Sequence, residues 1–221
     1  MRPSPVQWDA GLKNLTDEGY LGHLIRGTES LPRISFRTRD DIKAQLAGLG
    51  TDINDVFFKC TTEQSHGIWG NGRRSKLKLS WYGHDSVHLY SEVSQSIKIH
   101  GAIPGNTAAP IAIAKMGDET VGYFIEHVNG SDLSSLFARP SDNGLLVRVA
   151  GNLSEVIAKM HDKGIGHGDL SLSNIMLTGS MEIKLIDPIC NCFREPDSML
   201  IEYDRKALDG ILRIANSTFV D

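Results

Sequence analysis

The sequence predicts an α+β protein with two parts, a small antiparallel sheet that carries one helix and a second, mainly helical part. Residues 75–81 alternate polar and apolar side chains with period two, which is typical of a half-buried strand. Residues 143–163 repeat apolar side chains at helical spacing, which predicts a long amphipathic helix. Most strand patterns come before residue 127 and most helix patterns after it, so the two element types are largely segregated.

Five strands and one helix are expected in the first part. The strand patterns are rich in β-branched and aromatic residues and cover residues 56–60, 67–69, 75–81, 111–113 and 121–126. Asn71-Gly72 is a strong hairpin signal between the second and third of them. A helix is predicted at residues 85–99, because Leu89, Val93 and Ile97 recur at a spacing of four.

The second part is expected to hold helices at residues 133–137 and 143–163, followed by a loop between two short strands. The long helix presents one apolar face, made by Leu146, Val149, Leu153, Val156, Ile157 and Met160. Gly164 should end this helix, since glycine readily takes the left-handed conformation found after helix ends. The expected organisation is an irregular or partly helical extension at residues 1–40, the sheet part at 41–126 and the helical part at 127–221.

Composition and charge argue against several classes of function. The chain of 221 residues can bury a sizeable core, and its formal charge of 23 − 27 = −4 comes without a sustained basic run, so nucleic acid is not an expected partner. No apolar run approaches the length of about 20 residues that crosses a bilayer, so no membrane partner is expected. Residues 1–36 lack a charged and then apolar export signal. The odd number of cysteines, at positions 60, 190 and 192, favours free thiols in a reducing compartment.

The residues that carry chemistry lie between positions 165 and 187. Ile-Gly-His-Gly-Asp-Leu-Ser-Leu-Ser-Asn at 165–174 precedes Ile-Lys-Leu-Ile-Asp at 183–187, so Asp169, Asn174 and Asp187 fall in one short stretch. These segments resemble the H-R-D-L-x-x-x-N and D-F-G elements of protein kinases. The alternative interpretation is a strand-turn-strand hairpin with solvated acids, which leaves the matches farther upstream unexplained.

This resemblance implies a two-lobed, protein-kinase-like fold that binds ATP and Mg²⁺. Phosphoryl transfer depends mainly on positioning and charge neutralisation, and magnesium prefers hard oxygen ligands. Asn174 and Asp187 would supply those ligands at the nucleotide, while Asp169 would orient the acceptor hydroxyl and receive its proton. His167 is expected to brace the loop rather than to do chemistry.

A lysine and an acid upstream match two further parts of the kinase pattern. Residues 72–78 resemble the G-x-x-V-A-V-K turn and strand, which assigns Lys78 to the lysine that grips phosphate. Glu92, on the predicted helix, then matches the acid that holds this ammonium group. Lys76 points to the same face of the strand and remains a rival for the role of Lys78. The alternatives are a solvated strand lysine and a surface helix acid.

The phosphate-covering loop of kinases is matched less closely. Residues 62–67 retain one glycine of the three, Gly67, at positions where backbone amides should approach phosphate closely. A divergent cover is therefore expected, and an ordinary hairpin turn that ignores nucleotide is the alternative.

Residues 124–132 resemble the hinge between the lobes of a kinase. Ile125 would fall at the gatekeeper position. Glu126 and Val128 would offer backbone groups to adenine, and Asp132 would bond the ribose. The alternative is a plain strand that runs into a turn.

Beyond Asp187 the sequence departs from the kinase pattern. Asp-Pro-Ile replaces D-F-G, and only 221 − 187 = 34 residues remain for a carboxyl-terminal lobe. Gly168 stands where many kinases carry an arginine. Residues 202–210 resemble the helix whose buried aspartate braces the catalytic loop, which assigns that brace to Asp204; a surface aspartate is the alternative.

Over about residues 55–215 the chain looks most like the minimal Hop-type type III effector protein kinases of plant-associated bacteria. The resemblance implies phosphate transfer from ATP to a serine of the host's ninety-kilodalton heat-shock chaperone, which would inactivate the chaperone and suppress immunity. It also implies delivery into the host cytoplasm by a type III system, with residues 1–40 as a candidate secretion segment. A monomer is expected.

Two other classes of function stay open. The H-G-D form also occurs in small-molecule kinases of the aminoglycoside or choline type and in small atypical kinases of transfer-RNA modification. A non-catalytic, kinase-like binder is the second class, although a binder has no need to keep the five matched residues Lys78, Glu92, Asp169, Asn174 and Asp187.

Overall fold

The computed structural model describes residues 25–36, 57–59, 62–69, 73–80, 86–116, 118–138, 143–189 and 195–217. It shows an α+β protein, as the sequence predicts. Residues 1–24 and 37–40 of the predicted extension, the predicted Asn71-Gly72 turn and the three cysteines lie outside the described residues.

The chain divides into two compact units. The sheet unit comprises residues 1–94, 110–127 and 190–194, and the helical unit comprises residues 95–109, 128–189 and 195–221. The division between His127 and Val128 falls inside the segment predicted as a hinge. Residues 95–109 belong to the helical unit although they precede the last two strands of the sheet unit.

The sheet unit is built on one sheet of six strands. They are β1 (Arg33–Phe36), β2 (Phe57–Lys59), β3 (Thr62–Trp69), β4 (Arg73–Ser80), β5 (Pro110–Met116) and β6 (Glu119–Glu126). Their order in the sheet is β1-β5-β6-β4-β3-β2, and neighbours run antiparallel except β1 and β5, which are parallel. Helix α1 (Ser86–Ala102) begins in this unit, where its Leu89, Tyr90 and Val93 are buried.

Strand β1 corrects the prediction of an irregular or partly helical extension at residues 33–36. Arg-Ile-Ser-Phe does alternate polar and apolar side chains, but four residues are too few to establish a period. In the sheet, Arg33 pairs with Ile113, which lies 113 − 33 = 80 residues later. A parallel pairing over that separation leaves no local turn signal. The five strands predicted are therefore joined by a sixth at the sheet edge.

The helical unit contains three further helices and a small sheet. The helices are α2 (Leu133–Phe137), α3 (Asn143–His161) and α4 (Asp197–Ser217), and the strands are β7 (Gly130–Asp132), β8 (Ile175–Thr178) and β9 (Ile183–Leu185). The strands pair antiparallel in the order β7-β8-β9. Single turns of 3-10 helix lie at Pro104–Asn106 and Leu172–Asn174. None of the described helices combines the length and the apolar character that a bilayer span needs.

The core of the helical unit joins α3 to the β8–β9 hairpin. The apolar face predicted for α3 is buried, at Leu146, Val149, Leu153, Val156, Ile157 and Met160. Five of these residues, all but Leu146, form one core cluster with Ile175 and Leu177 of β8 and with Ile183 and Leu185 of β9. Burying an aliphatic side chain fully contributes about 1.5–3 kcal/mol. This packing therefore fixes both ends of the segment that runs from α3 to β8.

Replacing one buried and one exposed residue of α3 tests this packing. Leu153 has no exposed surface, whereas 44% of Val147 is exposed. We expect Leu153→Ala to lower the free energy of unfolding by about 2–5 kcal/mol, because apolar contacts are lost and a cavity remains. Val147→Ala is the control and should change it by about 0.5 kcal/mol or less. Urea unfolding measures both, and similar values for the two variants would contradict the packing.

Candidate functional site

The loop that carries Asp169 begins at a capped helix end; residues 165–174 are called the Asp169 loop here. α3 ends in a Schellman motif, in which the Gly164 amide donates to the His161 carbonyl (2.8 Å) and the Ile165 amide to the Met160 carbonyl (3.3 Å). Gly164 has a φ of +71°, the left-handed conformation that the motif needs. The chain therefore leaves α3 in a fixed direction, at the residue the sequence predicted.

A buried carboxylate on α4 holds the Asp169 loop. The oxygens of Asp204 accept the backbone amides of His167 (2.7 Å) and Gly168 (2.8 Å), and Asp204 has no exposed surface. The ring Nε2 of His161, at the end of α3, lies 3.0 Å from the same carboxylate. The brace that the sequence assigned to Asp204 is present. Hydrogen bonds to an ionised acceptor are about twice as strong as neutral ones, so they fix the loop backbone firmly.

Two glycines allow the Asp169 loop to approach α4 closely. A Cβ at Gly166 would lie 2.5 Å from Leu200 Cβ and 2.6 Å from the Ile201 amide nitrogen. Gly168 has a φ of +79°, and a Cβ there would lie 2.6 Å from Ile189 Cγ2. Packing thus explains why glycine occupies positions 166 and 168 of the Gly-His-Gly-Asp sequence. An arginine at position 168 would require Ile189 and Leu200 to move.

His167 joins the Asp169 loop to the segment that carries Asp187. Its ring Nε2–H donates to the Ile186 carbonyl (3.0 Å), and its backbone carbonyl accepts the Ile189 amide (3.0 Å). Burial lowers the pKa of His167, and the nearby carboxylate of Asp204 opposes this only in part. His167 is therefore neutral and acts as a brace, which agrees with its predicted role.

Asp187 has a backbone conformation that few residues tolerate. Its φ is +53°, in the left-handed region, where Asp and Asn are among the few residues other than glycine that occur. Pro188 follows, and a residue before proline normally prefers an extended backbone. The two bonds of His167 lie on either side of Asp187 and hold this geometry. Strained residues of this kind concentrate at functional sites.

Asn174 brings the two predicted acids together. Its side-chain amide donates to the carboxylate (3.1 Å) and the carbonyl (2.9 Å) of Asp169, and lies 3.4 Å from the backbone carbonyl oxygen of Asp187. The Ile186 amide donates to the Asn174 carbonyl (3.0 Å), which ties the two segments through the backbone as well. The three residues that the sequence selected in this unit therefore form one cluster, with Asp169 exposed and the other two partly exposed.

In the sheet unit, Lys78 and Glu92 form a short ion pair. The distance from Lys78 Nζ to Glu92 Oε1 is 2.6 Å, and the two side chains are 8% and 19% exposed. The lysine lies on β4 and the acid on α1, in the elements predicted for them. The predicted contact is present, while the binding of phosphate by Lys78, or by its rival Lys76, stays a prediction.

Tyr123 completes the ion pair and was missed by the sequence analysis. Its hydroxyl donates to Glu92 Oε1 at 2.5 Å, and its ring centroid lies 5.8 Å from Lys78 Nζ. Tyr123 has no exposed surface and pairs directly with Lys78 across β4 and β6. The sequence carries no signal for this contact, because Tyr123 is next to Lys78 only through the register of β4 and β6 and lies far from it along the chain.

The residues predicted to hold the adenosine part of ATP lie at the end of the sheet and at a helix start. Glu126 is the last residue of β6, and Val128 lies in the link to β7. Asp132 caps α2: its carboxylate accepts the Ser134 hydroxyl and the Ser135 amide (2.8 Å), and the Ser134 bond lowers the pKa of Asp132. Their contacts with a nucleotide stay predictions.

Residues 62–66 lie within a strand, which corrects the loop expected over residues 62–67, whereas Gly67 lies in a strand as the pattern at residues 67–69 predicts. These residues belong to β3, where Gly67 pairs with Ser75 of β4. Lys59 pairs with Thr62, so only residues 60 and 61 separate β2 from β3. The structure differs from the expected loop because the pairing of β3 with β2 and β4 already begins at Thr62. Contact of Gly67 with a nucleotide stays a prediction.

The donor set of the helical unit suits magnesium. Within the described part of the chain, no three His, Cys, Asp or Glu side chains cluster as a metal site would need. Mg²⁺, however, is commonly held by one or two carboxylates together with phosphate oxygens and water. The Asn174 amide nitrogen is already occupied by Asp169, which leaves Oδ1 as a hard ligand, and Asp187 adds a partly exposed carboxylate. These residues fit a magnesium-bound nucleotide.

Comparison with known proteins yields no assignment. No family model matches the chain, and no curated protein matches it. The case for its chemistry therefore depends on the residues and on their geometry.

Two glycine variants separate backbone strain from steric overlap. Gly164 and Gly168 both have a left-handed backbone conformation. A Cβ at Gly164 would meet nothing within 4 Å, whereas one at Gly168 would overlap its neighbours. Gly164→Ala should lower the free energy of unfolding by about 1–2 kcal/mol, the cost of the left-handed conformation alone. Gly168→Ala should cost more, because Ile189 and Leu200 must also move. Equal costs in urea unfolding would contradict the close approach of the loop to α4.

Stability should fall at mildly acidic pH because His167 is buried in its neutral form. Its pKa is lowered on folding, so the unfolded chain binds more protons as the pH drops. The contribution of neutral His167 to the free energy of unfolding is complete above the unfolded pKa of about 6.5. It is lost as the pH falls toward the lowered folded pKa, by at most about 1.4 kcal/mol per pH unit.

The matched variant for this prediction is His167→Gln, whose side-chain amide can still donate to Ile186 and does not titrate. Urea unfolding between about pH 7 and pH 5 should show a steeper loss for the wild type than for this variant. Parallel pH profiles would show that His167 is not held neutral by burial.

Proposed function

We propose that the protein is an ATP-dependent serine/threonine protein kinase that uses Mg²⁺. The observation that carries this proposal is the arrangement around Asn174, whose amide contacts Asp169 and the backbone of Asp187. Phosphoryl transfer needs an acid for the acceptor hydroxyl and hard oxygen ligands for the metal-bound nucleotide. This cluster contains both, on a loop whose backbone Asp204 holds in place.

Each residue of the cluster has its own task in the proposed reaction. The acceptor hydroxyl oxygen forms a bond to the γ-phosphorus while the bond from that phosphorus to the ADP oxygen breaks. Asp169 orients the hydroxyl and receives its proton, for which its exposed position is suitable. Asn174 and Asp187 hold Mg²⁺, which when bound neutralises charge on the phosphates.

The ion pair of the sheet unit supports the same proposal. A lysine held by Glu92 and Tyr123 is already ordered, so it can bind a phosphate oxygen without losing much side-chain entropy. A solvated surface lysine has no need of a partner held in this way. Lys78 is therefore the proposed phosphate ligand.

The other residues with a proposed role contact the adenine, ribose and phosphates of ATP. Glu126 and Val128 hold adenine through their backbone groups, Asp132 bonds the ribose, and Gly67 belongs to the cover over the phosphates. The sheet unit and the helical unit correspond, in this proposal, to the two lobes of a kinase-like fold. The helices α2, α3 and α4 would belong to the carboxyl-terminal lobe.

The proposed acceptor is a serine of the host's ninety-kilodalton heat-shock chaperone, and the proposed route to it is delivery by a type III system. Support for this part comes from the resemblance to the Hop-type effector kinases over about residues 55–215.

Neutralising either acid of the cluster should remove most of the activity. We expect Asp169→Asn to lower kcat by about 10²- to 10⁴-fold, because the acceptor hydroxyl loses the group that receives its proton. Asp187→Asn should lower kcat by at least as much, because the metal loses a charged ligand. Transfer of labelled phosphate from ATP to the purified chaperone measures both.

The control for this experiment is Asp209→Asn, the same chemical change at an exposed position of α4. It should leave kcat unchanged within about twofold. Wild-type activity in Asp169→Asn would contradict the role assigned to Asp169. If the wild-type protein labelled the chaperone no more strongly than Asp169→Ala does, the chaperone would not be its substrate.

Incubation with a eukaryotic lysate, followed by mass spectrometry, distinguishes the classes of acceptor. New phosphoserine on the chaperone would support the proposed effector, whereas phosphorylated metabolites would indicate a small-molecule kinase. A thermal-shift titration with ATP and Mg²⁺ completes the comparison, because the absence of any stabilisation would indicate a binder without kinase chemistry.

A further inference from the structure

Gln95 on α1 reaches the backbone of the Asp169 loop. Its side chain is 2% exposed, and its Nε2 donates to the Gly166 carbonyl at 2.5 Å and lies 3.4 Å from a carboxylate oxygen of Asp197. All of these residues belong to the helical unit. A buried side-chain donor on a helix therefore binds a loop residue three positions before Asp169.

The Gln95 bond and the Asp204 bond hold the same peptide group. The carbonyl of Gly166 and the amide of His167 are the two ends of one planar unit. Gln95 binds its oxygen from α1, and Asp204 binds its nitrogen from α4 at 2.7 Å. A group bound at one end can still pivot about that bond, whereas a group bound at both ends has one orientation.

This peptide needs external support because of the residues around it. Gly166 must be glycine to fit against Leu200, and Gly168 must be glycine to fit against Ile189. Glycine lacks the Cβ contacts that restrict backbone rotation, so the peptides near it turn more freely than others. The hydrogen bonds from Gln95 and Asp204, both outside the loop, restrict the rotation of this peptide instead. Any rotation here would redirect Asp169, which follows two residues after His167.

We infer that Gln95 is a positioning residue for phosphate transfer, which sets the orientation of the Gly166–His167 peptide and through it the direction of Asp169. The inference rests on the proposed function and adds to it a residue that no kinase motif in the sequence identified. Gln95 binds the backbone of the loop rather than nucleotide or acceptor. Its loss should therefore lower turnover and leave the affinity for ATP unchanged.

The direct test is Gln95→Met, which keeps the length of the side chain and removes the donor. Displacement of a catalytic group by about 1 Å can cost on the order of 10²-fold, so we expect kcat to fall by about 10- to 100-fold with KM for ATP within about twofold of wild type. Lys98→Met is the matched control. It removes the neighbouring contact from α1 to Asp197, at 3.5 Å between half-exposed groups, without touching the loop, and it should leave kcat unchanged.

A second variant, Gln95→Glu, supplies a readout that a loss of packing would not give. Below its pKa the new carboxyl can donate to the Gly166 carbonyl, while above it the carboxylate faces that oxygen and Asp197, whose other oxygen is near Lys98. The ratio of its kcat to that of wild type should fall as the pH rises, toward the ratio found for Gln95→Met. The Gln95→Met ratio should not change with pH.

Hydrogen exchange measures the position of the loop without reference to activity. In Gln95→Met the amides of His167 and Gly168 should exchange faster than in wild type, by at least about tenfold, while the amide of Leu153 in the core of α3 exchanges at its wild-type rate. Unchanged loop exchange, or an equal rise at Leu153, would overturn the inference. If wild type does not turn over ATP with Mg²⁺ at all, the proposed function fails, and the exchange data alone decide whether Gln95 positions the loop.

Discussion

The carboxylate of Asp204 is the interaction on which the rest of the site depends. A buried charge without partners would be very costly, but this one accepts two backbone amides and lies against the ring of His161. Because its two oxygens bind consecutive amides, the loop between α3 and β8 has little freedom to move. The path of the Asp169 loop, and with it the packing of His167, follows from this contact.

From Asp204 the constraint extends outward through His167 to Asp187. The backbone of His167 is fixed by Asp204, and its ring and carbonyl then hold the residues on either side of Asp187. The left-handed backbone of Asp187 is stable only because its neighbours are held in this way. Asn174 closes the arrangement by contacting the carboxylate of Asp169 and the backbone carbonyl of Asp187. The polar groups of this cluster thus lie on irregular segments between packed elements, which is where rigid positioning and access to solvent can be combined.

The parts of the structure that could be predicted are those with a local signal. The apolar face of α3, the stop at Gly164 and the acids around Asn174 follow from periodicity, from glycine chemistry and from a short motif. The contact between Lys78 and Glu92 follows from the resemblance to kinases, which implies a lysine on a strand held by an acid on the next helix.

The parts that could not be predicted depend on register or on long-range pairing. Strand β1 pairs with β5 over a separation that leaves no local pattern, and Tyr123 meets Lys78 only through the β4–β6 register. The kinase-like motif indicates a loop at residues 62–66, whereas pairing with β2 and β4 makes these residues a strand. Gln95 could not be found, since its partner is a backbone carbonyl, and a backbone group has no signature in the sequence.

In the proposed function, Asn174 and Asp187 hold a divalent metal ion bound to nucleotide, next to Asp169. Anomalous diffraction from crystals grown with Mn²⁺ and a non-hydrolysable ATP analogue tests it directly, because Mn²⁺ takes the same oxygen ligands as Mg²⁺ and can be located by its scattering. We expect an anomalous peak within coordination distance of Asn174 Oδ1 and of the Asp187 carboxylate. A bound nucleotide without such a peak, or a peak coordinated by other residues, would contradict it.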